Sequence, residues 1–126
     1  GAGCQESFGA LTLRYRFWFE HYMRPNDLLI PLVVTEAGID GGVLRGLDPQ
    51  LSGWRDFGGD NVPEGIAPQS WEDYAQQLSW YDDELRCDDY VLGFAIFNVG
   101  DGDGQWASFD VTDKLPELGE IAASKS

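Results

Sequence analysis

The stretch of sequence that decides the fold is PLVVTEAGIDGG, Pro31 to Gly42. A run of apolar, partly β-branched residues ends there in a single carboxylate, Glu36, and a glycine-rich loop follows. Because the run has no polar alternation, it predicts a strand from Leu28 to Thr35 that is covered on both faces, as in a parallel sheet. Ionised carboxylates are rarely buried without a partner, so Glu36 is predicted to lie where this strand opens onto a cleft.

The rest of the chain repeats the same order of elements. Residues 37–67 are rich in glycine and irregular, which predicts a long functional loop. A second continuous apolar strand is predicted from Tyr90 to Val99. Apolar residues at helical spacing predict three helices: one through Leu11, Tyr15, Trp18, Phe19 and Tyr22, one after Pro68 through Trp71, Tyr74, Leu78 and Leu85, and one from Leu115 to Ala122.

This alternation of helices and strands is typical of parallel α/β architecture. Two parallel strands alone would leave unpaired backbone groups along both outer edges. The sequence therefore predicts part of a larger sheet, completed by further chain or by self-association.

The charge balance limits the classes of partner. The chain has 126 residues, and 22 acidic against 8 basic residues give a net charge of -14. Such a surface repels phosphate backbones and anionic lipid, so neither nucleic acid nor a membrane is expected as a partner. Neutral ligands such as sugars remain compatible with it.

The two cysteines, Cys4 and Cys87, have no further Cys or His at metal-ligand spacing. We therefore expect no metal and no cofactor, and we expect two free thiols, with one disulfide as the alternative. The redox compartment stays open, with an extracellular or secreted location favoured. The chain begins Gly-Ala-Gly-Cys without an initiator Met, which suggests a processed product or a piece of a longer protein.

Four segments together resemble a known family of enzymes. They are VVTEAGIDGG (33–42), GWRDFGG (53–59), SWEDYAQQLSWYDDELRCDDY (70–90) and VLGFAIFNVGDGDGQWASFD (91–110). This pattern is similar to the C-terminal part of retaining glycoside hydrolases of the large clan whose nucleophile Glu ends strand seven of a (β/α)8 barrel. The resemblance implies an α/β fold, namely the last two βα units of a TIM barrel with the preceding helix. Residues 1–126 would then be the C-terminal part of a single catalytic barrel whose N-terminal part is missing.

Carried over to this sequence, the resemblance makes Glu36 the nucleophile that forms a glycosyl-enzyme intermediate. A retaining mechanism also needs a second carboxylic acid, about 5 to 5.5 Å away, to protonate the leaving oxygen. In the clan that acid/base closes strand four, usually after an Asn, and these 126 residues contain no such segment. Activity is therefore expected of a larger protein and not of this chain alone.

The resemblance also implies a binding site for an oligo- or polysaccharide. Sugar rings present apolar faces ringed by hydroxyls, so their sites combine flat aromatics with acids and amides. Trp106 matches the place where the clan stacks an aromatic under the reacting sugar, and Trp54 is a second candidate. The candidates for hydroxyl contacts are Asn98, Asp101, Asp40 and Asp56.

Plainer interpretations remain open at this stage. Glu36 could cap a helix or pair with Arg45 or Arg55, and either tryptophan could merely close its loop. A non-catalytic carbohydrate-binding or scaffold fragment of a barrel is the alternative function. An α/β-hydrolase is disfavoured because the chain has no G-x-S-x-G motif.

Overall fold

The computed structural model describes residues 4, 12–43, 51–58, 68–101 and 103–126. Within these residues, two strands, β1 (Leu32–Ala37) and β2 (Val91–Ile96), pair in one sheet. The α-helices are α1 (Tyr15–Trp18), α2 (Trp71–Arg86) and α3 (Leu115–Ser124). Helix α1 continues as a π-helical segment, Phe19–Met23, and a 3₁₀ turn, Arg24–Asn26. Further 3₁₀ turns are Gly41–Val43, Trp54–Phe57, Ala107–Phe109 and Thr112–Lys114.

The two strands are parallel. At their beginnings the Leu32 N–H donates to the Tyr90 carbonyl at 2.9 Å, and at their ends the Phe97 N–H donates to the Ala37 carbonyl at 2.8 Å. Both carboxyl ends therefore lie at the same edge of the sheet. The predicted mixture of helices with a parallel pair of strands is confirmed, whereas membership of a TIM barrel stays a prediction.

The strand limits differ from the expected ones. Strand β1 begins directly after Pro31 and continues two residues past Thr35, so Glu36 is its penultimate residue. Strand β2 ends at Ile96, and the peptide bond between Phe97 and Asn98 that follows is cis.

The prediction that both faces of each strand are covered is wrong for this structure. Val33 is 52% exposed and Leu92 is 72% exposed. A parallel sheet needs a layer of structure on each face, and the described residues supply none over these two side chains.

The chain divides into two compact units. Unit 1 comprises Gly1–Val34 and Trp80–Phe94, and unit 2 comprises Thr35–Ser79 and Ala95–Ser126. The buried apolar residues of unit 1 are Leu13, Phe19, Tyr81, Leu85 and Tyr90. Those of unit 2 are Ala37, Leu51, Trp54, Phe57, Trp71, Tyr74, Leu78, Phe109 and Val111.

A buried ion-pair network organises unit 1. The Arg16 guanidinium bonds Glu84 through Nη1 at 3.0 Å and Asp88 through Nε at 2.8 Å. These bonds turn Arg16 inward, and the predicted apolar stripe is therefore wrong at Trp18 and Tyr22, which are more than half exposed. A buried guanidinium is stable only because both carboxylates compensate its loss of water.

Helix α2 follows its predicted pattern. Of the predicted stripe, Trp71, Tyr74, Leu78 and Leu85 are buried, whereas Ala75, which the same spacing predicts to be buried, is only half-buried. Its beginning is fixed by a reciprocal cap, in which the Asp73 N–H donates to Ser70 Oγ at 3.2 Å and Asp73 Oδ2 accepts from the Gln69 N–H at 3.0 Å. The sequence thus places the side chains of α2 correctly.

The expectation of two free thiols is wrong, and the alternative of one disulfide is confirmed. Cys4 and Cys87 are bonded, with their Cα atoms 6.2 Å apart. A separation of 83 residues carries no recognisable spacing, so only the fold reveals the pair. A cross-link over so long a loop stabilises chiefly by restricting the unfolded chain.

Replacing both cysteines, Cys4→Ser with Cys87→Ser, is expected to lower the free energy of unfolding by about 2 to 4 kcal/mol. Urea denaturation of both proteins with and without a reductant measures the difference. The reductant should destabilise the original chain to the level of the double variant and leave the variant itself unchanged. Equal stability of all four samples would show that the bond does not stabilise the fold.

Candidate functional site

A cleft lies in unit 2 at the carboxyl ends of β1 and β2. It has a volume of about 450 Å³. The residues that line it are Glu36, Ala37, Gly38, Ile39, Asp40, Phe97, Trp106 and Phe109. This size lies within the usual range of small-molecule sites, and ligands of open α/β sheets commonly bind at this edge.

Glu36 presents an exposed carboxylate to the cleft. Of the two arginines considered as structural partners, Arg55 is engaged elsewhere: its Nε donates to the Asp110 carbonyl at 3.0 Å, and its Nη2 pairs with Asp113. Arg45 lies outside the described residues. Within the described ranges, Glu36 forms no ion pair, so the carboxylate is open to a ligand.

The loop after β1 supplies a second carboxylate. Asp40 lines the same cleft, and its Oδ1 accepts the Gly42 N–H at 2.8 Å. The Gly41 N–H donates to the Ser52 carbonyl at 2.6 Å, which ties this loop to the segment 51–58. The end of β1 and the loop that follows it therefore place two acidic groups, Glu36 and Asp40, on the same cavity.

Three aromatic side chains also line the cleft. Trp106 contacts Phe97 and Phe109 edge-on, with ring centroids 5.6 and 5.7 Å apart, and it remains 42% exposed. Phe97 and Phe109 also meet edge-on at 5.4 Å. Trp106 was a candidate from the sequence, whereas neither phenylalanine was. Their positions in the sequence could have indicated them, because Phe97 is the first residue after β2 and Phe109 follows Trp106 by three residues.

Asp101 and Asn98 shape the Trp106 loop and do not line the cleft. Asp101 Oδ1 accepts the Trp106 N–H at 3.1 Å, and Asn98 Nδ2 donates to the Gly100 carbonyl at 3.4 Å. The other carboxylate oxygen of Asp101, Oδ2, and the amide oxygen of Asn98, Oδ1, are buried without a hydrogen-bond partner in the described part of the chain. The direct hydroxyl contacts predicted for these two residues thus have no support in the lining of the cleft.

The Trp106 loop is also fixed at its far end. Asp110 Oδ1 accepts from the Thr112 hydroxyl at 2.5 Å, from the Thr112 N–H at 2.9 Å and from the Gly100 N–H at 3.2 Å. These bonds favour the ionised carboxylate and hold the pKa of Asp110 below its usual range. Both ends of the loop are therefore anchored by acidic side chains.

Trp54, the second aromatic candidate, does not line the cleft. Trp54 is only 8% exposed, and its ring stacks on Tyr74 with centroids 5.8 Å apart. Its Nε1 donates to the Asp110 carbonyl at 3.3 Å, and the Arg55 guanidinium lies 4.4 Å from the ring centroid. Trp54 therefore packs within unit 2, and Asp56 likewise serves the loop by accepting the Ser52 N–H at 2.9 Å.

The segment 51–58 supports the aromatic wall through close backbone contact. The Gly53 N–H donates to Ser108 Oγ at 3.0 Å. A Cβ atom at Gly53 would collide with the Ser108 carbonyl. Glycine is therefore required there to let the two loops meet.

No group of three or more His, Cys, Asp or Glu that could hold a metal ion occurs among the described residues. In the same part of the chain, no helix is long and apolar enough to cross a membrane. Comparison with known proteins found no matching family model, curated protein or solved structure.

Gly53→Ala is expected to lower the free energy of unfolding by about 1 to 3 kcal/mol, because the added methyl group overpacks a backbone contact. Gly58→Ala is the matched control in the same loop, since among the described residues its Cβ would meet only the Gln69 carbonyl at 3.8 Å. That variant should change stability by no more than about 0.5 kcal/mol. Urea denaturation compares them, and equal effects would contradict the contact.

Proposed function

We propose that this chain carries the nucleophile of a retaining glycoside hydrolase, and that the nucleophile is Glu36. The observation that carries the proposal is the cleft itself. It brings an exposed carboxylate from the end of β1 and three aromatic rings from beyond β2 to one cavity. Catalytic groups of parallel α/β enzymes lie at this end of their strands.

The chemistry assigned to Glu36 is attack on the anomeric carbon. A carboxylate oxygen forms a bond to that carbon while the glycosidic oxygen leaves, and water later breaks the new ester with retention of configuration. The leaving oxygen takes its proton from a second carboxylic acid. We assign that acid to residues outside this chain, because the resemblance places it at the end of strand four.

The aromatic wall and the charges of the cleft indicate a neutral glycan. Trp106 offers a partly exposed ring to the apolar face of a sugar, with Phe97 and Phe109 behind it. Among the described residues of the lining, the two charged ones, Glu36 and Asp40, are acidic. An acidic glycan would meet like charge there, whereas sugar hydroxyls can donate to Asp40.

A sheet that continues beyond β1 and β2 fits the same proposal. The exposed side chains of Val33 and Leu92 form an apolar surface of the kind that further structure covers in parallel sheets. We infer that the remainder of a barrel, or a second copy of the chain, covers this surface.

The test of function is Glu36→Gln in the larger protein that the proposal requires, assayed with dinitrophenyl glycosides of several neutral sugars. Their leaving group departs with little acid assistance, so the step assigned to Glu36 is measured by itself. The variant should release dinitrophenol at least about 1,000-fold more slowly than the original protein.

Glu72→Gln is the matched control, because Glu72 is an exposed residue in the first turn of α2 and does not line the cleft. It should retain the original rate. Near-normal release by the Glu36 variant would refute the nucleophile. Glycan binding without any release by the original protein would favour the non-catalytic carbohydrate-binding alternative.

A further inference from the structure

We propose that Tyr74 is a positioning residue for the cleft, and that its buried hydroxyl holds the turn at Gly38 and Ile39 between the two cleft carboxylates. The inference rests on the proposed function for its catalytic meaning. Its structural part is a property of the chain and can be tested without a substrate.

Tyr74 is held rigidly from α2. The side chain is only 2% exposed. Its ring stacks on Trp54 at 5.8 Å and contacts Trp71 edge-on at 6.0 Å. A ring fixed on two sides by larger rings places its hydroxyl at a defined point beneath the loop.

Gly38 is the residue that lets the backbone reach this hydroxyl. Its φ is +148°, a conformation that L side chains rarely adopt. A Cβ at this position would come within 2.6 Å of the Tyr74 hydroxyl oxygen and 3.5 Å of the Phe97 carbonyl oxygen. The turn therefore passes between Tyr74 and the end of β2, with no room for a side chain.

The backbone next to Gly38 lies close to the same oxygen. Burial raises the pKa of Tyr74 to about 12, and the Ile39 backbone acts in the opposite direction. Tyr74 therefore stays a neutral hydroxyl throughout the physiological pH range. Under the proposal, the Ile39 N–H donates to this oxygen.

The position of this turn gives Tyr74 its role. Glu36 lies two residues before Gly38, and Asp40 directly follows Ile39. All of these residues line the cleft, whereas Tyr74 does not. Without the bond to Tyr74, the chain would keep both carboxylates, but they could move relative to the aromatic wall.

The experiment compares Tyr74→Phe with Tyr81→Phe in the full chain. Tyr81 lies on the same helix, is also buried and donates its hydroxyl to the Thr12 carbonyl at 2.9 Å, but it belongs to unit 1. Each variant keeps its ring and loses one buried hydrogen bond. We expect both to lower Tm by a similar amount, roughly 2 to 8 °C.

Two further readouts separate the variants. Amide hydrogen exchange at Ile39 should accelerate at least about 10-fold in Tyr74→Phe and stay unchanged in Tyr81→Phe. Calorimetric titration with cellopentaose, xylopentaose and mannopentaose should show about 10-fold weaker binding of the preferred sugar by Tyr74→Phe alone. Gly38→Ala provides a second variant that keeps Tyr74 and should show the same two changes.

Unchanged Ile39 exchange in Tyr74→Phe and in Gly38→Ala would overturn the inference. Equal losses of sugar affinity in Tyr74→Phe and Tyr81→Phe would also overturn it, because stability alone would then explain the effect. Faster Ile39 exchange in a chain that binds none of the three sugars would support the holding of the turn and count against the proposed function.

Discussion

The hydrogen bond from the Phe97 N–H to the Ala37 carbonyl, 2.8 Å long, is the interaction on which the candidate site depends. It pairs the last residue of β1 with the first residue beyond β2 and fixes both chain exits at one edge of the sheet. Without this parallel register, the end of β1 that carries Glu36 and the loop that carries Trp106 would not be held at one cavity. This one backbone hydrogen bond thus holds the two strand ends together at one cleft.

Close backbone packing then gives the cleft its shape. Gly38 passes over the Tyr74 hydroxyl, and Gly53 meets Ser108 at a distance that excludes any side chain. Tyr74 and Trp54 stack beneath these two contacts. Aromatic residues near the cleft therefore have two roles: the buried pair Tyr74 and Trp54 supports the loops, and Trp106 at the surface is left available to a ligand.

The sequence predicts those features that depend on local patterns. The buried positions of α2, including Trp71 and Tyr74, follow from helical spacing, and the apolar run before Glu36 is enough to place that carboxylate at a strand end. Trp54 shows the limit of such reasoning. Whether its ring is buried or open is decided by Trp71 and Tyr74, which are distant in sequence, and no local pattern records that contact.

The other differences have the same origin. The disulfide joins Cys4 and Cys87 across 83 residues, and Trp18 is exposed because Arg16 finds two acidic partners near the end of α2. The exposure of Val33 and Leu92 depends on what lies over the sheet, which their own strands do not encode. Contacts between residues distant in sequence therefore determine the features that local sequence patterns do not predict.

The most direct test of the central claim is covalent trapping of the nucleophile. The protein is incubated with dinitrophenyl 2-deoxy-2-fluoroglycosides of several neutral sugars, digested and analysed by mass spectrometry. The account predicts one added fluoroglycosyl group on the peptide that contains Glu36, and on no other carboxylate. Labelling of a different residue, or full release of dinitrophenol with no adduct at Glu36, would contradict it.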